Sequence, residues 1–179
     1  MPSPLKEDNA NQEWKRELYL KYVEKVHTLC RRFSDCDERA KDFTQECFME
    51  VFKNFHRYDD TKGELGGWIY IVSRNHVLKM IKKEKKLGLR FSDDLSYIPE
   101  EKEEELPDLP DQETLIRAIQ SLPDGYRNVI NLYVFENRSH EEVAEILEIS
   151  SSTSRSQYAR AKKLLKKKLQ LEIYVKKEL

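Results

Sequence analysis

Between Ser139 and Leu165 the chain reads SHEEVAEILEISSSTSRSQYARAKKLL, two runs of helical apolar spacing separated by three residues. Ser139 and Glu142 have the spacing of a capping box. The short helix this opens carries Val143, Ile146 and Leu147 on one face, with Ala144 small enough for close helix contact. Glu148, Ile149 and Ser150 form the turn, where Ile149 is placed to plug the core and Ser150 to cap a second, longer helix. The pattern predicts a helix-turn-helix. Many such turns carry Gly at the position of Glu148, and a left-handed backbone there costs a non-glycine residue about 1 kcal/mol. Glu148 therefore points to a slightly different turn.

Assigning Ser154, Tyr158, Ala161 and Leu165 to the buried side of the second helix leaves Ser152, Arg155, Ser156, Ala159 and Lys163 facing out. Arg160 and Lys162 lie on the flanks. Such a face suits the major groove of DNA: residues near the helix N-terminus reach base edges, and later Lys and Arg neutralise phosphate. Arg155 is the candidate for direct base readout.

The rest of the chain is read the same way. Trp14, Leu18, Tyr22, Val26 and Leu29 recur at helical steps from about Gln12 to Phe33. SDCD supplies turn and capping residues, and Ala40, Phe43, Cys47, Val51 and Phe55 mark a second helix. After the polar loop DDTKGELGG a third helix runs from Trp68 through Ile69, Val72, Val77, Leu78 and Ile81 into the basic KKEKK. Leu115, Ile116, Ile119 and Leu122 make a short helix, and Pro123 is placed to open another that Val129, Ile130 and Tyr133 continue. With only five Gly and six Pro in 179 residues, the expectation is an all-α protein.

Charge is segregated by segment. The formal net charge is -1, which by itself points to no polyanionic partner. From Asp93 to Asp111, however, nine acidic residues stand against one Lys, net -8; from Ser151 to Leu179 nine Lys and Arg stand against two Glu, net +7. Phe91 to Asp111 also holds three prolines and no sustained period, the composition of a linker. The expected organisation is therefore two small helical domains joined by an acidic linker: residues 1–90, linker 91–111, and 112–179 with the helix-turn-helix.

No apolar run has the length of a membrane span, and MPSPLKEDNANQ lacks the apolar core of a signal peptide, so a cytoplasmic protein without membrane insertion is expected. Cys30, Cys36 and Cys47 have no paired spacing, which argues against a disulfide framework or a zinc ribbon and for free thiols.

With these residues in view, SLPDGYRNVINLYVFENRSHEEVAEILEISSSTSRSQYARAKKLL resembles region four of bacterial extracytoplasmic-function sigma factors, with Leu122, Pro123, Tyr126 and Arg127 matching the motif that opens it. Ser154 departs from the Val often found there. The resemblance implies reading of the minus-thirty-five promoter element by Ser152, Thr153, Arg155, Ser156, Gln157, Arg160 and Lys163. AKDFTQECFMEVFKNF is similar to the region-two helix that binds the polymerase clamp, which assigns core-polymerase contact to Asp42, Gln45 and Glu46. GGWIYIVSRNHVLKMIKKEKK resembles the helix that captures and melts the minus-ten element, which assigns that role to Trp68, Arg74, Asn75, Lys79, Lys82 and Lys83. The partners so implied are core RNA polymerase, promoter double-stranded DNA and its melted non-template strand, with an anti-sigma factor as a further one. No cofactor or metal is implied.

Two other classes compete with this reading. A helix-turn-helix regulator acting without core polymerase would explain the C-terminal motif but not the N-terminal match or the second basic patch at Lys79 to Lys86. For an enzyme, His27, His56, His76 and His140 form no catalytic constellation with the cysteines, and no glycine loop cradles a phosphate. The sequence is read as non-catalytic.

Overall fold

The computed structural model describes the backbone of residues 4–87 and 110–177 and the side chains of 12–87 and 110–170. Among the described residues the regular structure is helical, with no strand. The expected linker lies outside them except for Pro110 and Asp111. The described residues fall into two compact units, one within 1–31 and 37–81, the other within 32–36 and 82–179.

The first unit is built on α2 (Asp37–Asn54) and most of α1 (Pro4–Phe33) and α3 (Leu65–Lys86), whose last residues, from Arg32 and from Lys82, fall in the second. Helix α1 begins before the expected Gln12, because Pro4 to Ala10 carry no apolar period that would reveal a helix. Helix α2 has Asp37 and Glu38 in its first turn and Lys53 in its last, charges that complement the helix dipole. Its Ala40, Phe43, Cys47 and Val51, at steps of three and four, are buried, as are Val26, Leu29 and Cys30 of α1 and Ile69, Val77 and Ile81 of α3; the Cys47 sulfur lies 3.9 Å from that of Cys30 and 3.5 Å from the Ser73 carbonyl. Each such large apolar side chain contributes roughly 1.5–3 kcal/mol by leaving water.

Between α2 and α3 the polar segment is locally ordered. Two 3-10 turns, Phe55–Arg57 and Asp60–Lys62, flank Asp59, whose carboxylate accepts from the backbone N–H (3.1 Å) and hydroxyl (2.6 Å) of Thr61. Gly63 follows with φ +149°, a conformation that L side chains rarely adopt. The Tyr58 hydroxyl donates to the Gly63 carbonyl at 3.1 Å and closes the loop.

The second unit holds α4 (Gln112–Gln120), α5 (Asp124–Ile130) continuing as a π-helical turn (Asn131–Phe135), α6 (His140–Leu147) and α7 (Ser151–Lys177). Asp111 caps α4 by accepting from the Thr114 N–H at 2.8 Å. Leu122, Tyr126, Ile130 and Ala161 form a buried cluster to which Tyr158, Leu164 and Leu165 add partly buried surface.

At the α4–α5 joint sits a buried arginine. The Arg127 side chain is 3% exposed and donates to the carbonyls of Ile119, Gln120 and Leu122 while pairing with Asp124 at 2.7 Å. The last carbonyls of a helix have no intrahelical donor, and a guanidinium with five N–H groups supplies several at once. Arg127 thereby fixes how α5 leaves α4, and α5 in turn packs on α7.

Candidate nucleic-acid interface

The helix-turn-helix forms where the sequence predicts it, with two corrections in its turn. Ser139 Oγ accepts from the Glu142 N–H and the Glu142 carboxylate accepts from the Ser139 N–H, a complete capping box at the start of α6. Glu148 was expected to alter the turn; instead it adopts the left-handed conformation itself, with φ 56° and ψ 50°. Its N–H and that of Ile149 both return to the Ala144 carbonyl, so two hydrogen bonds offset a strain of about 1 kcal/mol; the Ile149 side chain, expected to plug the core, is only half-buried. Ser150 Oγ then accepts from the Thr153 N–H at 3.0 Å and caps α7.

On α7 the division of faces matches the expectation. Ser154 and Ala161 are buried and Tyr158 and Leu165 half-buried, while Ser152, Arg155, Ser156, Ala159, Arg160, Lys162 and Lys163 are exposed. Two of the candidate readers are less open: Thr153 and Gln157 are half-buried. Gln157 packs so closely on α5 that a β-carbon at Gly125 would lie 3.1 Å from its Nε2.

Two polar contacts tie α6 to α7. His140 Nδ1 and Ser154 Oγ are 2.9 Å apart, and the His140 ring stacks on Tyr133 with centroids 4.3 Å apart. One position along, Arg155 Nη1 donates to Glu141 Oε1 at 3.0 Å, and its Nη2 donates to Ser151 Oγ at 3.1 Å. The carboxyl of Glu141 is held below the usual range by its own backbone N–H and by Arg155. Sequence reasoning missed both α6 partners, since each lies 14 residues from the α7 side chain it meets.

On α3, Asn75, Lys79 and Lys83 lie on an exposed stripe with Ile71 one turn before, and Arg74 and Lys82 are half-buried on its flanks. Arg74 donates to Asn75 Oδ1 through Nε at 3.3 Å and Nη2 at 3.1 Å. Trp68 is half-buried in an aromatic row, 6.1 Å from Phe55 and 5.6 Å from Tyr58 between ring centroids. That row connects the start of α3 to the ordered loop, where His56, Arg57, Tyr58, Asp59, Asp60 and Lys62 line an open, polar depression of about 530 Å³.

Asp42, Gln45 and Glu46 are all exposed on one face of α2, beside Met49, which is 63% exposed. Glu46 also reaches His76 of α3 at 3.5 Å. The chemistry of this face differs from that of α3: mixed polar and apolar without a basic run, suited to a protein surface more than to phosphate.

Comparison with known proteins decides the family. Residues 18–87 match Sigma-70 region 2 and residues 112–165 match Sigma-70, region 4, together 124 of the 179 residues. The chain belongs to the sigma-70 family. Its α2 and α3 thus lie in region 2, and its helix-turn-helix in region 4. The ECF RNA polymerase sigma factor SigE of Mycolicibacterium smegmatis is 28% identical over 154 residues, 84% of this chain, and the aligned stretch spans 59% of that protein's length. The ECF RNA polymerase sigma factor SigW of Bacillus subtilis is 27% identical over 159 residues, 83% of this chain and 84% of that protein. Among solved structures, the sigma factor RpoE in complex with the anti-sigma factor NepR from Bartonella quintana is 20% identical, with a TM-score of 0.47, covering 88% of this chain and 97% of that one. Among the described residues no helix is long and apolar enough to cross a membrane.

Proposed function

We propose that this chain is an extracytoplasmic-function sigma factor that joins core RNA polymerase and directs initiation at promoters bearing two spaced upstream elements. The observation that carries this reading is the presence of regions 2 and 4 in one chain with only residues 88–111 between their matches. It acts in the cytoplasm as a specificity subunit, and the chemistry of RNA synthesis belongs to the polymerase.

In this reading Asp42, Gln45 and Glu46 contact the polymerase. Asn75, Lys79 and Lys83, flanked by Arg74 and Lys82, follow the backbone of the minus-ten element, with charge neutralisation supplying affinity. Trp68, held in its aromatic row, supports the loop from Tyr58 to Gly66, and a strand opens where its splayed base is preferred over a stacked one. Region 4 places Ser152, Arg155 and Ser156 on base edges of the minus-thirty-five element, with Thr153 and Gln157 supporting them and Arg160 and Lys163 on phosphate. Residues 1–90 and 112–179 act as the two functional domains and residues 91–111 as the acidic connection between them. An anti-sigma factor completes the set of partners; recovery of polymerase subunits alone when the tagged protein is purified from its host would count against it.

Paired variants test the division of labour. Arg155→Ala should weaken promoter binding by the holoenzyme while leaving co-elution with core polymerase intact, and Asp42→Ala with Gln45→Ala should do the reverse. The same defect from both would contradict the assignment.

A further inference from the structure

We infer that Glu141 is a positioning residue for Arg155, holding its guanidinium in the pose that discriminates guanine at one position of the upstream promoter element. The inference rests on the reading of Arg155 as a base-contacting residue and adds a second residue, from the other helix of the motif, to the specificity of that contact.

The geometry is particular. Nη1 of Arg155 donates to Glu141 Oε1 on α6 at 3.0 Å, and Nη2 donates to Ser151 Oγ one turn back on α7 at 3.1 Å. Each Nη carries two hydrogens, so a bond from each leaves one on each nitrogen, with Nε–H besides, enough donors for a bidentate contact with guanine O6 and N7. An arginine tethered at both terminal nitrogens loses less freedom on meeting a base than one sampling all its rotamers, and a fixed fork fits fewer wrong bases.

Stability gives no reason for the pair. Both side chains are more than half exposed, at 55% and 67%, and an ion pair so placed adds little to folding. A carboxylate at a DNA-facing surface also repels phosphate, so Glu141 lowers affinity for every sequence alike. Glu141 also accepts from its own backbone N–H in the first turn of α6, which needs no Arg155, so the pair with Arg155 is left to act on which sequence is bound. The neighbouring His140–Ser154 contact fixes the spacing of the two helices at this level, so Glu141 Oε1 meets Arg155 at a set distance.

Holoenzyme assembled from core bacterial RNA polymerase and each variant, selecting from a promoter library randomised over the upstream element, tests this. Glu141→Gln should reduce the guanine preference at one position about fivefold while leaving the other positions unchanged. Binding to random duplex should stay level or tighten by about twofold as a phosphate-repelling charge is lost. Arg155→Ala should abolish preference at the same position, and adding Glu141→Gln to it should change nothing further. Full guanine preference in Glu141→Gln, with loss in Arg155→Ala, overturns the positioning role and leaves the base-reading role standing. Intact preference in Arg155→Ala overturns both. A uniform decline across all positions accompanied by a lower melting temperature would mean that Glu141 acts through folding, and also overturns the inference.

Discussion

Ser154 Oγ and His140 Nδ1 meet at 2.9 Å across the two helices of the helix-turn-helix, and Ser154 is fully buried there. A hydroxyl at a helix–helix contact is explained once its partner is seen. Val, the residue that the family resemblance leads one to expect here, would fill the space but leave the imidazole without this bond. The His140 ring is braced from the other side by Tyr133 at 4.3 Å, with Tyr158 at 5.7 Å.

Ser154→Ala should therefore cost about 1 kcal/mol, the usual net value of a hydrogen bond. The loss should appear as a lower denaturant midpoint for the second unit. Adding His140→Ala should cost less than it does alone, because the two residues share one interaction. Full additivity in this cycle would contradict the contact.

Removing Arg127 should be far more damaging. Its side chain is 3% exposed, and Arg127→Ala removes the cation paired with Asp124 and the side-chain donor to the Ile119, Gln120 and Leu122 carbonyls, a loss of about 3–5 kcal/mol for a broken buried pair. Chemical denaturation should show early unfolding of the second unit with the first unit's transition in place. A shift of less than about 1 kcal/mol, within the range of ordinary surface substitutions, would refute the stapling role.

Acid should act on the first unit through His27. Thr44 donates its hydroxyl hydrogen to the Ala40 carbonyl at 2.6 Å, so its oxygen accepts from His27 Nδ1–H at 3.0 Å, which assigns the neutral tautomer. Burial, then Arg31, holds the imidazole below its ordinary value of 6.5, with Lys41 adding to the effect and Asp37 opposing it. A His whose folded pKa is depressed contributes stability that is complete above the unfolded value and is lost as pH falls through the folded one. Urea midpoints should fall below about pH 6.5 before the carboxylates titrate. His27→Gln should flatten that decline, and an unchanged slope would rule His27 out as its source.

The three cysteines should separate by reactivity. Cys30 and Cys47 are fully buried with sulfurs 3.9 Å apart, and the hydrogen bond they share, together with burial, pushes the Cys47 thiol up. Cys36 is exposed. A thiol reagent should modify Cys36 alone in the native protein and all three after unfolding. Rapid native labelling of Cys47 would contradict the packing of α1 on α2.

What the sequence disclosed follows from where its signals are local. The capping box, the three-residue turn and the buried side of α7 are visible because each is set by residues within a turn or two of one another. The left-handed Glu148 was missed since a penalty of about 1 kcal/mol loses to two amides returning to one carbonyl. Arg127 was legible as part of a motif, but a charged side chain gives no periodic sign that it is buried. Glu141 and His140 became visible as partners of α7 only when the turn brought α6 back against it. The acidic connection is read from composition and, apart from Pro110 and Asp111, lies outside the described residues.

The central claim, that this chain confers promoter choice on RNA polymerase, is tested most directly by transcription from a promoter library with purified core bacterial polymerase, with and without the protein, mapping transcript starts by sequencing. The account predicts starts that appear only when the protein is present and share two spaced upstream elements. No new starts, while the protein alone binds DNA, would contradict it and favour a regulator that works without core polymerase.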